Sequence, residues 1–443
     1  MPVFPIQTSP PGACTTRTTC RVCGSSDLTP LFSLGDQYVS DFVPVDRVRS
    51  GPRVPLDVDR CNTCTLVQAR HTAPQDFLYT RHYWYRSGVT QTMRDALRDV
   101  AFEAAKRVEL KAGDVVLDIG SNDGTLLRNY WSGLHRVGVE PARNMQQYYD
   151  YTDRSLTLIP DFWSAVTYFK TVPTNVLLQN GPDKQVGVVA DNRHLAKIVT
   201  ALGMFYDLED PNQFIADVAK VLHPEGVFVA QLMCLKQTLE KGDVGNFAHE
   251  HLEFYTLQSL NVLFRKHGLY IQDLEENSIN GGSYRLYVRH WNPAWDVTRE
   301  TDEDFRCIGE RLREARNGFD VTSFLQRIER TRKTVRAFVE LAVSNGDRVW
   351  VYGASTKGNV LLQYWGLDST LIEAAADRSP EKWEKYTVGT GIPIRSEEEF
   401  RRSCPDYALV LPYTFTDEFL QREVYWRNQN GKFIIPLPEF HVV

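Results

Sequence analysis

The stretch VVLDIGSNDGTLL, Val115 to Leu127, constrains the fold more than any other part of this chain. An apolar run ends at Asp118, turns through Gly120, Ser121, Asn122, Asp123 and Gly124, and resumes with residues that suit a helix. A second apolar run, Arg136 to Val139, ends in Glu140. Strand, Gly-rich turn, helix, strand and acid are the parts of a nucleoside-binding βαβ unit. The glycines let backbone approach a ligand, and the acid can accept hydrogen bonds from two ribose hydroxyls. The turn reads G-x-x-x-G, not the G-x-G-x-x-G of dinucleotide binders, and it carries the acid Asp123. It suits an adenosine ligand with no phosphate to cradle. S-adenosylmethionine (SAM), a sulfonium cation, is such a ligand. The alternative is a Gly-rich turn that binds nothing, and the spaced Glu140 argues against it.

The 443 residues suffice for two or three domains, and a hydrophobic content of 42% supports real cores. A net charge of −6 argues against a nucleic-acid partner. No apolar run is long enough to span a bilayer, so no membrane partner is expected. The first residues, MPVFPIQTSPPGACTTRTTC, lack the charged and apolar regions of a secretory signal and read as a disordered lead. A cytoplasmic location follows, where thiols stay reduced. The eight cysteines are then ligands, packing residues or nucleophiles.

Four of them form two knuckles, Cys20-x-x-Cys23 and Cys61-x-x-Cys64. Four thiolates match the tetrahedral preference of zinc and leave no position for water, so the expected Zn2+ is structural. Cys234, Cys307 and Cys404 read as core.

Further strands are expected at 176–178, 226–230 and 284–288, and helices at 91–108 and after Asp210. From about Asp302 to Asn345 the chain reads as a charged helical pair. RVWVYGASTKGNVLLQYWGL, from Arg348, repeats the strand, Gly turn and helix theme and opens a second α/β unit.

Four further clusters carry polar chemistry. His249-Glu250-His251 places its histidines two apart, which one helical face cannot present to a metal. It suits acid/base work in a loop, with a hydrogen-bonded turn as the alternative. INGGSYR brings Asn280, Gly282, Ser283 and Arg285 into a Gly loop that enters a strand. Tyr83 and Tyr85 lie in HYWYRSG, either capping a site or stapling the N-terminal module. GASTKGN places Lys357 and Asn359 at a helix start, an anion site unless Lys357 is merely solvated.

The order of these parts resembles the SAM-dependent C-methyltransferases of nucleotide-linked deoxysugars, over nearly the whole chain. The resemblance implies a fold of three parts: a zinc-binding N-terminal module, a central Rossmann-like SAM domain and a smaller C-terminal α/β domain. The expected division is 1–17 lead, 18–75 zinc module, 76–298 SAM domain, and 299–443 helical connector and C-terminal domain. It also implies residue roles. Asp118, Gly120, Asn122, Gly124 and Glu140 would hold SAM, with Asp161 on the adenine side. Tyr83 and Tyr85 would lie near the sugar, as would the segment Leu34 to Phe42. His251 would be the base, beside Glu250 and His249. Asn280, Gly282, Ser283, Arg285, Lys357 and Asn359 would contact the substrate.

The implied reaction is carbon methylation of a 4-keto nucleotide sugar through an enolate, at C3. The partner is that small molecule, with the protein a monomer or a dimer. The chain departs from the pattern at Ala248, where the family carries Tyr, and in ALGMFYDLEDP from Ala201. Two rivals are an O- or N-methyltransferase and a non-catalytic zinc-ribbon protein with a SAM fold.

Overall fold

The computed structural model describes residues 14–74, 77–78, 83–172, 192–291, 309 and 319–443. Its centre is a seven-stranded sheet. The strands are β1 (Val115–Ile119), β2 (His135–Val139), β3 (Leu156–Ile159), β4 (Ala196–Leu202), β5 (Leu222–Met233), β6 (Leu269–Asn277) and β7 (Ser283–His290). Their order across the sheet is 3-2-1-4-5-7-6. All run parallel except β7, which is antiparallel to both β5 and β6.

The alternation of side chains along the strands builds two cores. Val116, Ile198, Val227 and Val229 meet Leu97, Val100 and Ala104 of the helix Gln91–Lys106. Leu117, Val199, Phe228 and Ala230 face the opposite way, towards Phe214, Val218, Leu260 and Phe264. A strand run buried on both faces explains why β1 reads as apolar without alternation up to Asp118.

The C-terminal domain repeats this scheme. Five parallel strands and an antiparallel edge strand, His441–Val442, form its sheet. Numbered within that sheet, the order is 3-2-1-4-5-6, starting from Val349–Tyr352. The strand order reverses between Val349–Tyr352 and Tyr407–Val410, which opens a crevice at their carboxyl ends.

The modules exchange strands. Glu253–Phe254, from the central domain, pairs with Val67–Ala69 and is the fourth strand of the N-terminal sheet. Phe42–Val43, from the N-terminal module, pairs with Tyr386–Thr387 of the C-terminal domain. These pairings fix the three parts around one cavity.

Several expectations need correction. The lead is ordered from Cys14 on: Thr15–Thr16 pairs with His71–Thr72, and Arg17 forms an ion pair with Glu209 at 2.6 Å. Residues 1–13 lie outside the described set, as do 176–178, His82, Cys307 and most of 302–318. Of the helical pair expected from about Asp302 to Asn345, the described part is the long helix Val321–Ser344. After the Gly turn the chain makes only the 3-10 turn Leu127–Asn129. Asn129 donates its side-chain amide to the Thr125 and Leu126 carbonyls, and Tyr130 turns extended, so no α-helix propagates. Cys404 caps a helix in the left-handed region and is only partly buried.

Candidate active site

The four knuckle sulfurs lie within 4.8 Å of one another, with Cys20–Cys64 at 3.4 Å and Cys23–Cys61 at 3.5 Å. A tetrahedron with Zn–S bonds of about 2.3 Å has edges of roughly 3.8 Å, so these four thiols fit one zinc ion. Three of the four are buried. The buried Arg21 inside the first knuckle reaches Ala69, Thr72 and Glu209 and faces Glu253, which locks the module onto the central domain.

A cavity of about 800 Å³ lies where the crevices of the two α/β domains meet. Its central-domain wall comes from the β1 turn and the end of β2. Gly120 has φ +70°, and a Cβ there would come within 2.8 Å of Met204, so glycine is required for the turn to close on the β4 loop. Glu140 is buried, and its two oxygens accept the backbone N–H groups of Asn122 and Ala142, each at 2.8 Å. The carboxylate is thereby fixed with lone pairs left for two hydroxyls. Burial raises its pKa. The Gly120 cradle and this oriented acid fit the ribose and backbone side of SAM.

Asn122 lines the cavity and clamps a lid: its side chain accepts from the Ser87 N–H and donates to the Tyr85 carbonyl. Asn144 holds the Tyr83 backbone in the same way. Tyr83 and Tyr85 therefore stand over the site. Burial, then Asp207, Glu140 and Glu250, hold the Tyr83 phenol well above its ordinary pKa. Desolvation of the phenol and Asp123 push Tyr85 up to about 12, although the residue as a whole is 44% exposed. Both remain hydrogen-bond donors at neutral pH.

Glu250 and His251 line the floor. Burial pushes the Glu250 carboxyl up to about 7. Burial first, and the Lys357 ammonium second, push His251 down to about 3. The His251 Nδ1 meets the Asn246 carbonyl at 2.6 Å, so that nitrogen carries the proton and Nε2 keeps its lone pair. The ring packs edge-on against Tyr206, with centroids 4.8 Å apart.

The C-terminal domain contributes Ser355, Thr356 and Lys357, at the start of the helix Thr356–Trp365, and Tyr413 from the facing loop. Gly353 has φ +87°, and a Cβ there would meet Pro412 at 2.5 Å. Arg47, Lys385 and Trp84 line the N-terminal side, with the Lys385 ammonium 4.2 Å from the centre of the Trp84 ring. Ser40, Asp41 and Phe42 of the Leu34–Phe42 segment reach the cavity.

The cavity thus collects Gly120, Asn122, Glu140, Tyr83, Tyr85, Glu250, His251, Asn280 and Lys357. Other expected site residues do not line it. Asp118 accepts from the Thr200 hydroxyl at 2.6 Å and ties β1 to β4. Gly124, at φ +73°, packs under Tyr149. Asp161 accepts the N–H of Phe162, and it is Phe162 and Trp163 that line the cavity.

His249 is buried against the Val54 carbonyl at 2.8 Å, where burial pushes it down to about 4. Gly282 leaves room for Gln237, and Ser283 donates to the Ile279 carbonyl. Arg285 bonds Gln231, Asp99 and Glu275 within the sheet and its flanking helix. Asn359 donates to the Asp41 carbonyl and fastens the C-terminal domain to the N-terminal module. Sequence reasoning missed Asp207, Asp243, Gln231, Tyr413 and Lys385. Asp207 lies in the divergent stretch from Ala201, which was the available signal.

Comparison with known proteins decides the family. The chain is 30% identical over 434 residues to the C-methyltransferase NovU of Streptomyces niveus, covering 96% of each chain. The chain belongs to the C-methyltransferase family. Three family descriptions match along it: a zinc binding domain at 20–79, a methyltransferase domain at 85–274 and a C-methyltransferase C-terminal domain at 278–438. This methyltransferase also shares partial likeness with solved structures. One is the SAH-bound magnesium protoporphyrin IX methyltransferase of Synechocystis PCC 6803 (13% identity, 46% of this chain and 90% of that one, TM-score 0.32). Another is a SAM-dependent methyltransferase of Aquifex aeolicus (12%, 44% and 97%, TM-score 0.29). The methyltransferase uses SAM and has a zinc-binding module. Among its described residues no helix is long and apolar enough to cross a membrane.

Proposed function

We propose that this C-methyltransferase acts on a nucleotide-linked 4-keto-deoxysugar and methylates the carbon beside the ketone, C3. The observation that carries this reading is the single cavity that all three parts of the chain line. Glu140, Glu250 and the tyrosines line it, and so do Ser355, Thr356, Arg47 and Lys385. Hydroxyls at a helix start with two cations suit a diphosphate. Proton-moving groups in the same cavity suit a carbon acid.

A carbon beside a ketone becomes nucleophilic only when its proton leaves. Glu250 takes that proton, because a carboxylate near pKa 7 is matched to neutral pH. This revises the expectation for His251, which burial leaves a weak base. Tyr83, held protonated, donates to the enolate oxygen. SAM supplies the electrophilic methyl and leaves as its demethylated thioether. Asn122 and Asn144 hold the Tyr83–Ser87 segment over the site, which excludes water and aligns the reacting carbon.

The test uses SAM carrying a 13C-methyl group and a nucleoside-diphosphate 4-keto-6-deoxysugar. The expected product has the labelled methyl on a carbon beside the ketone, read by its carbon chemical shift. A methyl on oxygen or nitrogen would overturn the reading.

A further inference from the structure

Asn246 lies in a 3-10 turn, Val244–Asn246, three residues before the His-Glu-His run. It is 1% exposed. Its two oxygens serve two domains. The backbone carbonyl meets Nδ1 of His251 at 2.6 Å. The side-chain carbonyl accepts from the Lys357 ammonium, in the C-terminal domain, at 2.5 Å. Its amide nitrogen donates to the Thr238 hydroxyl at 3.0 Å, which fixes the orientation of the side chain. The turn packs closely on the lysine helix. A Cβ on Gly245 would come within 3.2 Å of the Lys357 carbonyl and 3.3 Å of Leu361.

Lys357 sits at the first turn of a helix, where the macrodipole disfavours a cation. Burial disfavours its charge as well. The groups that favour its charge are Asp243, Asp207 and Glu250. Asp243 is itself engaged by the Tyr413 hydroxyl at 2.9 Å. A cation kept in such a place, against helix and burial, points to use of its charge.

We propose that Asn246 is a positioning residue that ties Lys357 of the C-terminal domain to His251 of the central domain and holds the ammonium at the cavity floor. There the charge lies beside Glu250 and His251, where an enolate oxygen would gain negative charge. Lys357 then acts in the chemistry. The chemical part of this inference rests on the proposed carbon methylation, and the geometric part does not.

Trace acetylation of the full-length protein, read by mass spectrometry across pH, gives the titration midpoint of Lys357. Asn246→Ala removes an acceptor of the ammonium, so the midpoint should fall by about one pH unit. Asn246→Asp adds a negative charge there and should raise it. Lys385, which Asn246 does not touch, should keep its midpoint in both variants. Should the Ala variant fail to fold, Asn246→Ser gives a smaller downward shift. SAM affinity should stay at the wild-type value in each folded variant.

The basic limb of the kcat profile should move with the Lys357 midpoint, and kcat should fall more than KM rises. An unchanged Lys357 midpoint in the Ala or Ser variant and in Asn246→Asp would overturn the inference. A wild type that labels as expected but does not methylate the keto sugar would instead sink the proposed substrate, leaving the positioning role supported.

Discussion

Glu250 and His251 are neighbours in sequence, yet burial moves their protons in opposite directions. The carboxyl is pushed up to about 7 and the imidazole down to about 3. Burial disfavours whichever form is charged, so it keeps Glu250 protonated longer and His251 neutral longer. This gives a pH prediction with a definite sign. In the proposed mechanism Glu250 must be ionised to accept the substrate proton. Activity should therefore rise through an acid limb near pH 7, falling about tenfold per unit below it. Glu250→Gln should abolish proton abstraction, while His251→Asn should keep the limb near 7. A flat acid side with Glu250→Gln still active, read from initial rates between pH 5 and 9, would return the role of base to His251.

At the scale of elements, the site depends on backbone approaches that only glycine permits. Gly353, at φ +87° and facing Pro412 at 2.5 Å, lets the two loops of the C-terminal switch point touch. Gly353→Ala should cost about 1–3 kcal/mol from left-handed strain and overlap. It should also weaken nucleotide-sugar binding more than SAM binding. Calorimetry with each ligand checks this, and equal losses for both would contradict it.

Gly120 was legible in the sequence because a turn is marked by residue type, and Glu140 because an acid ends the next strand. The four cysteines were legible from spacing alone. Side-chain direction was not legible. Arg285 follows a Gly-Gly-Ser loop, but its partners Asp99, Gln231 and Glu275 come from a distant helix and neighbouring strands. His249 and His251, two apart, point to different places. His249 goes under the N-terminal strand at Val54, and His251 goes to the cavity. Asn246 escaped notice because nothing local marks a residue that bridges two domains.

For the whole molecule, the zinc module is a wall of the cavity as well as a support. Ser40 to Phe42 and Arg47 reach the cavity, and Arg21 inside the first knuckle bonds Glu209 on the β4 loop that also lines it. Structural zinc in small modules contributes on the order of 10 kcal/mol to folding. Cys61→Ser should lose the ion, unfold the module at lower temperature and weaken SAM binding at a distance. Metal analysis with a thermal melt checks this, and a variant with full zinc content would contradict it.

In the proposed reaction all three domains serve one act, taking a proton from a carbon and placing a methyl there. The most direct measurement of that act omits the methyl. With S-adenosylhomocysteine in place of SAM, the enzyme and a nucleoside-diphosphate 4-keto-6-deoxysugar are incubated in deuterated water. Deuterium should enter the carbon that is later methylated, faster than in the absence of enzyme. A substrate that gains no deuterium there, yet is methylated when SAM is supplied, would contradict the enolate account.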